Sequence, residues 1–109
     1  MKIYLNRLKR FCFTKIKSIA IKYFGFGVQV FLFGSRVDDD IKGGDIDLFI
    51  TTNEIDILTL ETKIQFLVEL KSQIGDQKID VVFDSEITRS KIQFYNSIQK
   101  HKTELLVNQ

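Results

Sequence analysis

The sequence has no proline and only one cysteine in its 109 residues. A single thiol, Cys12, excludes an internal disulfide. Without proline, and without a Ser- or Gly-rich stretch, nothing in the chain reads as a linker. One domain over residues 1–109 is therefore expected, a size that a single hydrophobic core can serve. No apolar run approaches the roughly 18 residues that span a bilayer. Lysines interrupt the N-terminal segment where a signal peptide would be continuously apolar, so a cytoplasmic protein is expected. Histidine is nearly absent as well. His101 stands alone between Lys100 and Lys102 and reads as a surface residue at a helix end, not as a catalytic base.

What is present is apolar bulk and divided charge. Hydrophobic residues make up 44% of the chain and include ten phenylalanines, enough for a core. The net charge of +2 conceals an asymmetry. Residues 1–37 hold eight Lys or Arg and no acid, whereas residues 38–62 hold eight acids and one Lys. A basic surface suits a polyphosphate, a nucleic acid or an acidic partner. A solvated helix face is the plainer reading, and the N-terminal segment alone does not separate the two.

Periodicity places the elements. Leu5, Leu8, Cys12, Ile16, Ile19 and Tyr23 recur at steps of three and four, which predicts a leading amphipathic helix over about 3–24, ended by Gly25 or Gly27. Cys12 lies on its apolar stripe and reads as core. Residues 28–33 and 46–51 read as buried strands, and residues 78–83 as a third. Leu60, Ile64, Leu67, Leu70 and Ile74 predict a second helix closed by Gly75. A third helix is expected from about Ile87 to Leu105, with Phe94, Ile98 and Leu105 on its apolar side and Tyr95 packing beside them. The first two strands are joined by about a dozen residues with no helical pattern, which suits an antiparallel pair and a functional loop. The second and third strands flank a helix, which suits a parallel crossover. The fold class is α/β: a small mixed sheet, an antiparallel pair plus a parallel crossover strand, packed with helices.

Two carboxylates stand where burial is expected. In "GGDIDLFI", Asp45 and Asp47 alternate with Ile46 and Leu48, so both point to one face of the second strand. Like charges that close repel by about 1–4 kcal/mol, depending on the local dielectric. A divalent cation relieves the repulsion, and hard oxygen ligands of this kind suit Mg²⁺, whose remaining sites go to water and substrate phosphate. Asp80, in "KIDVVF", belongs to the strand that the crossover places alongside, and its alternation lets it share the same face. Three carboxylates from two neighbouring strands can hold two metals about 4 Å apart, the spacing used for in-line displacement at phosphorus. Gly34 and Ser35 close the first strand. A glycine admits a phosphate close to the backbone, turn N–H groups form an anion nest, and the Ser35 hydroxyl can donate to a phosphate oxygen. In an antiparallel pair this turn and Asp45 meet at one end of the sheet. The run Asp38, Asp39, Asp40 reads as solvated loop.

The stretch "LFGSRVDDDIKGGDIDLFI", taken with "KIDVVF", resembles the nucleotidyltransferase superfamily that includes the DNA polymerase β palm. Within it the chain is most similar to the minimal nucleotidyltransferases, the small MNT proteins. Their Gly-Ser, spacer, Asp-x-Asp and later Asp correspond to Gly34, Ser35, Asp45, Asp47 and Asp80. The resemblance implies a polymerase β palm-like fold and a transfer of a nucleoside monophosphate, AMP from ATP. It implies Asp45, Asp47 and Asp80 as catalytic residues and ligands of two Mg²⁺ ions, and Gly34 and Ser35 as the nucleotide-binding pair. Many such small proteins look like antitoxins encoded beside a HEPN-domain protein, an all-helical RNase toxin that they AMPylate on a tyrosine. A hetero-oligomer with a HEPN partner is thus implied, with the acceptor surface supplied by another chain. Two alternatives remain: an antitoxin that only occludes its toxin, and an enzyme that adds nucleotides to RNA 3′ ends. The second has no aromatic RNA-binding run behind it. The chain departs from the pattern in two places. Nine residues separate Ser35 from Asp45, where the antitoxin pattern has ten, and "RVDDD" replaces the usual Ala-Arg-Gly after Gly-Ser.

Overall fold

The computed structural model describes residues 3–33, 46–75 and 77–106. The leading helix, α1, spans Ile3–Phe24. Cys12, Ile16, Ile19, Ala20 and Phe24 form its buried stripe, at the steps of three and four that one helix face requires. Burial pushes the Cys12 thiol up, in keeping with a core residue. Gly25 ends the helix at φ +96°, its N–H donating to the Ile21 carbonyl at 2.9 Å.

The chain then lays down β1 (Gln29–Leu32) and β2 (Ile46–Thr51), and a short 3-10 turn (Ile55–Ile57) leads into α2 (Leu60–Ile74). The side chain of Thr59 caps α2 by accepting the Thr62 N–H at 3.1 Å. Strand β3 (Ile79–Phe83) follows, then α3 (Glu86–Ser90), α4 (Ile92–His101) and β4 (Thr103–Glu104). The sheet order is β3-β2-β1-β4. Strands β1 and β2 are antiparallel, β1 and β4 are antiparallel, and β2 and β3 are parallel across the α2 crossover. This is the mixed sheet with one parallel pair that the sequence predicts, with a fourth strand added.

Alternation along the strands sorts the sheet into two faces. Val30, Leu32, Ile46, Leu48, Ile50, Ile79 and Val81 join the α1 stripe and Phe66 and Leu70 of α2 in the main core. Phe31 and Phe49 point the other way and meet Ile98 of α4, with Phe33, Val82 and Tyr95 packed around them.

The single long third helix expected from Ile87 to Leu105 is not what forms. Lys91 breaks it at ψ 79°, and Ser90 turns its hydroxyl onto the Ile87 carbonyl at 2.6 Å. The helical part ends at His101, and Thr103–Glu104 pairs with β1. The Leu105 N–H donates to the Val30 carbonyl at 2.8 Å, and its side chain is buried in the main core. Leaving the helix here supplies β1 with a neighbour on its open edge and buries a leucine, which outweighs a last helical turn. Phe94, expected in the core, is 41% exposed. Helix α2 keeps the C-terminal part of its expected stripe, with Leu70 buried and Leu67 and Ile74 packed on the core beside Phe66, while Leu60 and Ile64, with Val68, lie exposed on the outer side.

Polar contacts tie the layers. Lys22 of α1 donates to Glu69 of α2 at 2.8 Å, and the Tyr23 hydroxyl donates to the same carboxylate at 2.6 Å. Lys17 donates to the Val28 carbonyl at 2.8 Å. Arg89 reaches back from α3 to Asp84 with two bonds, at 2.7 and 3.0 Å. Lys22 holds the Glu69 carboxyl below its ordinary value, with Tyr23 assisting, and Arg89 does the same for Asp84. A depressed carboxylate contributes stability that is present above the unfolded-chain pKa of about 4 and is lost as pH falls through the lower folded-state value. Urea midpoints are therefore expected to drop below pH ~4, and Asp84→Asn and Glu69→Gln each to flatten that acid decline. An unchanged acid slope in both variants would refute the assignment.

Gly75 closes α2 at φ +101°, ψ −178°, a conformation nearly reserved for glycine. A Cβ there would meet nothing within 4 Å, so Gly75→Ala isolates the backbone cost. It is expected to destabilise by about 1–3 kcal/mol in urea unfolding.

Candidate active site

Parallel register puts Asp47 of β2 directly beside Asp80 of β3. Both follow the alternation that carries Phe49 and Val82 to the α4 side of the sheet, so both carboxylates leave the same face. Adjacent strands lie about 4.8 Å apart, which sets the scale of their separation. Asp47 is half-buried and Asp80 exposed. Each is the second residue of its strand, so the pair sits at the end of the sheet where β2 and β3 begin and β1 finishes. The Phe33 N–H donates to the Asp47 carbonyl at 3.1 Å, continuing the β1–β2 register. Phe33, Asp47 and Asp80 thus form one row across three strands.

Sequence places Gly34 and Ser35 directly after Phe33, and Asp45 directly before Ile46. All three lie outside the described residues, as does the run Asp38 to Asp40. Among the described residues no group of three or more His, Cys, Asp or Glu gathers as a metal cage. Two side-by-side carboxylates are nonetheless the hard oxygen donor set that a divalent cation such as Mg²⁺ takes. Like charges in register across strands are destabilising, and a cation between them reverses the sign of that interaction. The residues present fit the group.

Beside the carboxylates runs an aromatic seam that the sequence reading does not assemble. Phe94 of α4 meets Phe33 edge-on, with ring centroids 6.1 Å apart. Phe49 contacts both Phe31 and Tyr95, and Lys102 sits over the Phe31 ring at 4.3 Å. Tyr95 is a packing residue, as expected, and His101 is exposed at the end of α4. The only signal for the seam was the density of phenylalanine, since the rings come from positions far apart in sequence.

An open cavity of about 500 Å³ lies elsewhere, lined by Ile55, Leu58 and Ile87 and by the Asp84–Arg89 pair. Asp84 follows β3 directly, so this cavity is at the opposite end of the parallel strands from Asp47 and Asp80. Its arginine is already held by Asp84.

No helix among the described residues is long and apolar enough to cross a membrane. Comparison with curated proteins gives no match, and comparison with solved structures gives none. The family model described as "Polymerase beta, Nucleotidyltransferase" matches residues 14–109, from the middle of α1 to the last residue. Members of that family use a nucleoside triphosphate and a divalent metal. The match takes in both aligned aspartates and all four strands, and on that ground the chain belongs to the polymerase β nucleotidyltransferase family.

Proposed function

We propose that this protein transfers AMP from ATP to a hydroxyl of a partner protein, and that it is the MNT antitoxin of a HEPN toxin. The observation that carries the nucleotidyl-transfer part is the register of Asp47 with Asp80 on one face of the sheet. Asp45, Asp47 and Asp80 are assigned as the carboxylates that hold Mg²⁺, and Gly34 and Ser35 as the pair that receives the triphosphate. The bound cation supplies charge neutralisation at the reacting phosphate. The acceptor oxygen attacks the α-phosphorus, a new P–O bond forms, the bond to the β-phosphate breaks, and pyrophosphate leaves. Asp80 takes the proton of the attacking hydroxyl. Positioning and charge carry most of the acceleration in chemistry of this class.

A protein partner, though not by itself an acceptor, is supported by the outer side of α2. Leu60, Ile64 and Val68 repeat at intervals of four residues and are 70%, 52% and 66% exposed. An exposed apolar stripe of this kind suits contact with another protein. The RNA 3′-end reading has less behind it, because Lys17 and Lys22 of the basic helix are already paired within the chain, with the Val28 carbonyl and with Glu69. Occlusion without catalysis has one observation in its favour: α2 packs on the sheet face opposite the carboxylates, so a partner can dock there without meeting them.

The test incubates the protein with Mg²⁺ and α-labelled ATP, once with a HEPN-domain protein encoded beside it and once with tRNA. Label on a protein tyrosine is the expected result. Label in tRNA alone selects the RNA reading. Full neutralisation of the toxin by the Asp45→Asn, Asp47→Asn double variant selects occlusion.

A further inference from the structure

We propose that Phe33 and Phe94 form the platform on which the base of the nucleoside triphosphate stacks, giving the site a preference for purines. The proposal rests on the reading of Asp47 and Asp80 as the carboxylates of the reaction centre.

Three observations place the platform. Phe33 stands across from Asp47 in the antiparallel register and shares its face, and such cross-strand neighbours have Cβ atoms about 4.5–5.5 Å apart. In a nucleotide the base is one ribose away from the α-phosphorus. A reaction held at Asp47 and Asp80 therefore delivers the base within a side chain's reach of the row they occupy. Phe33 is the apolar member of that row.

The second observation is exposure. Phe94 leaves 41% of its surface in solvent although Ile98, one turn on, is fully buried. A helix that only needed to cover the sheet would gain by burying the larger ring, since full burial of a Phe is worth several times the thermal energy. The ring instead stands edge-on to Phe33, at 78° between planes, and the two make an apolar corner whose Phe33 side adjoins Asp47.

The third is support from below. Phe33 packs, with Tyr95, against Phe31, Phe49 and Ile98, and Phe49 and Ile98 are at 1% exposure, so the Phe33 side of the corner is built on a fixed layer. Stacking needs a rigid π-face, not a hydrogen-bond pattern. Larger bases overlap more ring, so adenine and guanine gain more than cytosine.

The experiment compares binding of a non-hydrolysable ATP analogue with binding of Mg²⁺-tripolyphosphate, which carries the phosphates and no base. In Phe94→Ala the analogue is expected to bind about 5- to 150-fold more weakly, the equivalent of losing one base–aromatic stack. Tripolyphosphate binding should be unchanged, KM for ATP should rise with kcat within about twofold, and Phe94→Tyr should restore the wild-type values, because stacking acts on substrate binding alone. Phe33→Leu should act in the same direction. Equal weakening of both probes would mean a structural role and overturns the platform, as does an unchanged affinity for the analogue. Asp47→Asn serves as the control on the underlying reading. If it leaves binding of both probes with Mg²⁺ and the transfer rate untouched, that reading fails, and the platform falls with it.

Discussion

Asp47→Asn is expected to abolish nucleotidyl transfer while leaving a folded protein. The substitution keeps the shape of the side chain and removes its charge. Its strand is held by main-chain bonds, including the one from the Phe33 N–H to the carbonyl of residue 47, and those persist. What is lost is half of the aligned carboxylate pair. Removing one preorganised electrostatic group from a reaction centre costs about 10²- to 10³-fold in kcat, and loss of a metal-holding carboxylate is expected at or beyond that range. Asp80→Asn should fall as far. Because the two act together, the double variant should be no slower than the slower single one, as for groups that work as a unit. Transfer of labelled AMP, with melting followed by circular dichroism, measures both halves of the expectation. A single variant that keeps more than about a tenth of the activity, well short of the loss expected for such a group, would remove the carboxylate from the mechanism.

Phe24→Ala carries the largest expected effect on stability. The ring is fully buried at the end of α1. It meets Phe66 of α2 edge-on at 5.3 Å and Phe83 of β3 at 5.6 Å, so one side chain joins both helices of this layer to the sheet. Truncating a buried Phe removes its transfer energy and leaves a cavity, about 3–5 kcal/mol together. Domains of this size are stable by about 5–15 kcal/mol in total. The melting temperature should therefore fall by on the order of 15–30 °C. Combining it with Phe66→Ala should give less than the sum of the two losses, because the ring pair contributes about 0.5–1.5 kcal/mol that each single variant already removes. A loss below ~1 kcal/mol in urea unfolding would show that the site collapses around the gap, contrary to the packing described.

The carboxylate half of the candidate site was readable from residue order. Alternation assigns Asp47 to one face of its strand, and the helix between the second and third strands forces a parallel neighbour. Those two facts bring Asp80 beside Asp47 without any knowledge of distances. The strand 46–51 and the helix closed by Gly75 were also legible, since local period and a glycine after the last periodic residue mark them. The aromatic half was not. Phe33 and Phe94 are brought together by where α4 lands on the sheet, and no local pattern encodes that landing.

The C-terminal end shows the same division. Phe94, Ile98 and Leu105 keep a helical spacing, and the sequence by itself determined a helix through Phe94 and Ile98, with Ile98 on its buried side. It also determined the α/β class, the parallel crossover and the two aspartates that share a face, because these follow from period, turn residues and chain connectivity. Tertiary structure alone decided that the helix stops at His101, that Thr103–Glu104 covers the open edge of β1, and that Leu105 enters the core beside Val30. It also decided which side of α2 is buried. The reason is that backbone hydrogen bonds and burial gained between distant segments exceed the few tenths of a kcal/mol by which local propensities differ, about 0–0.7 per residue.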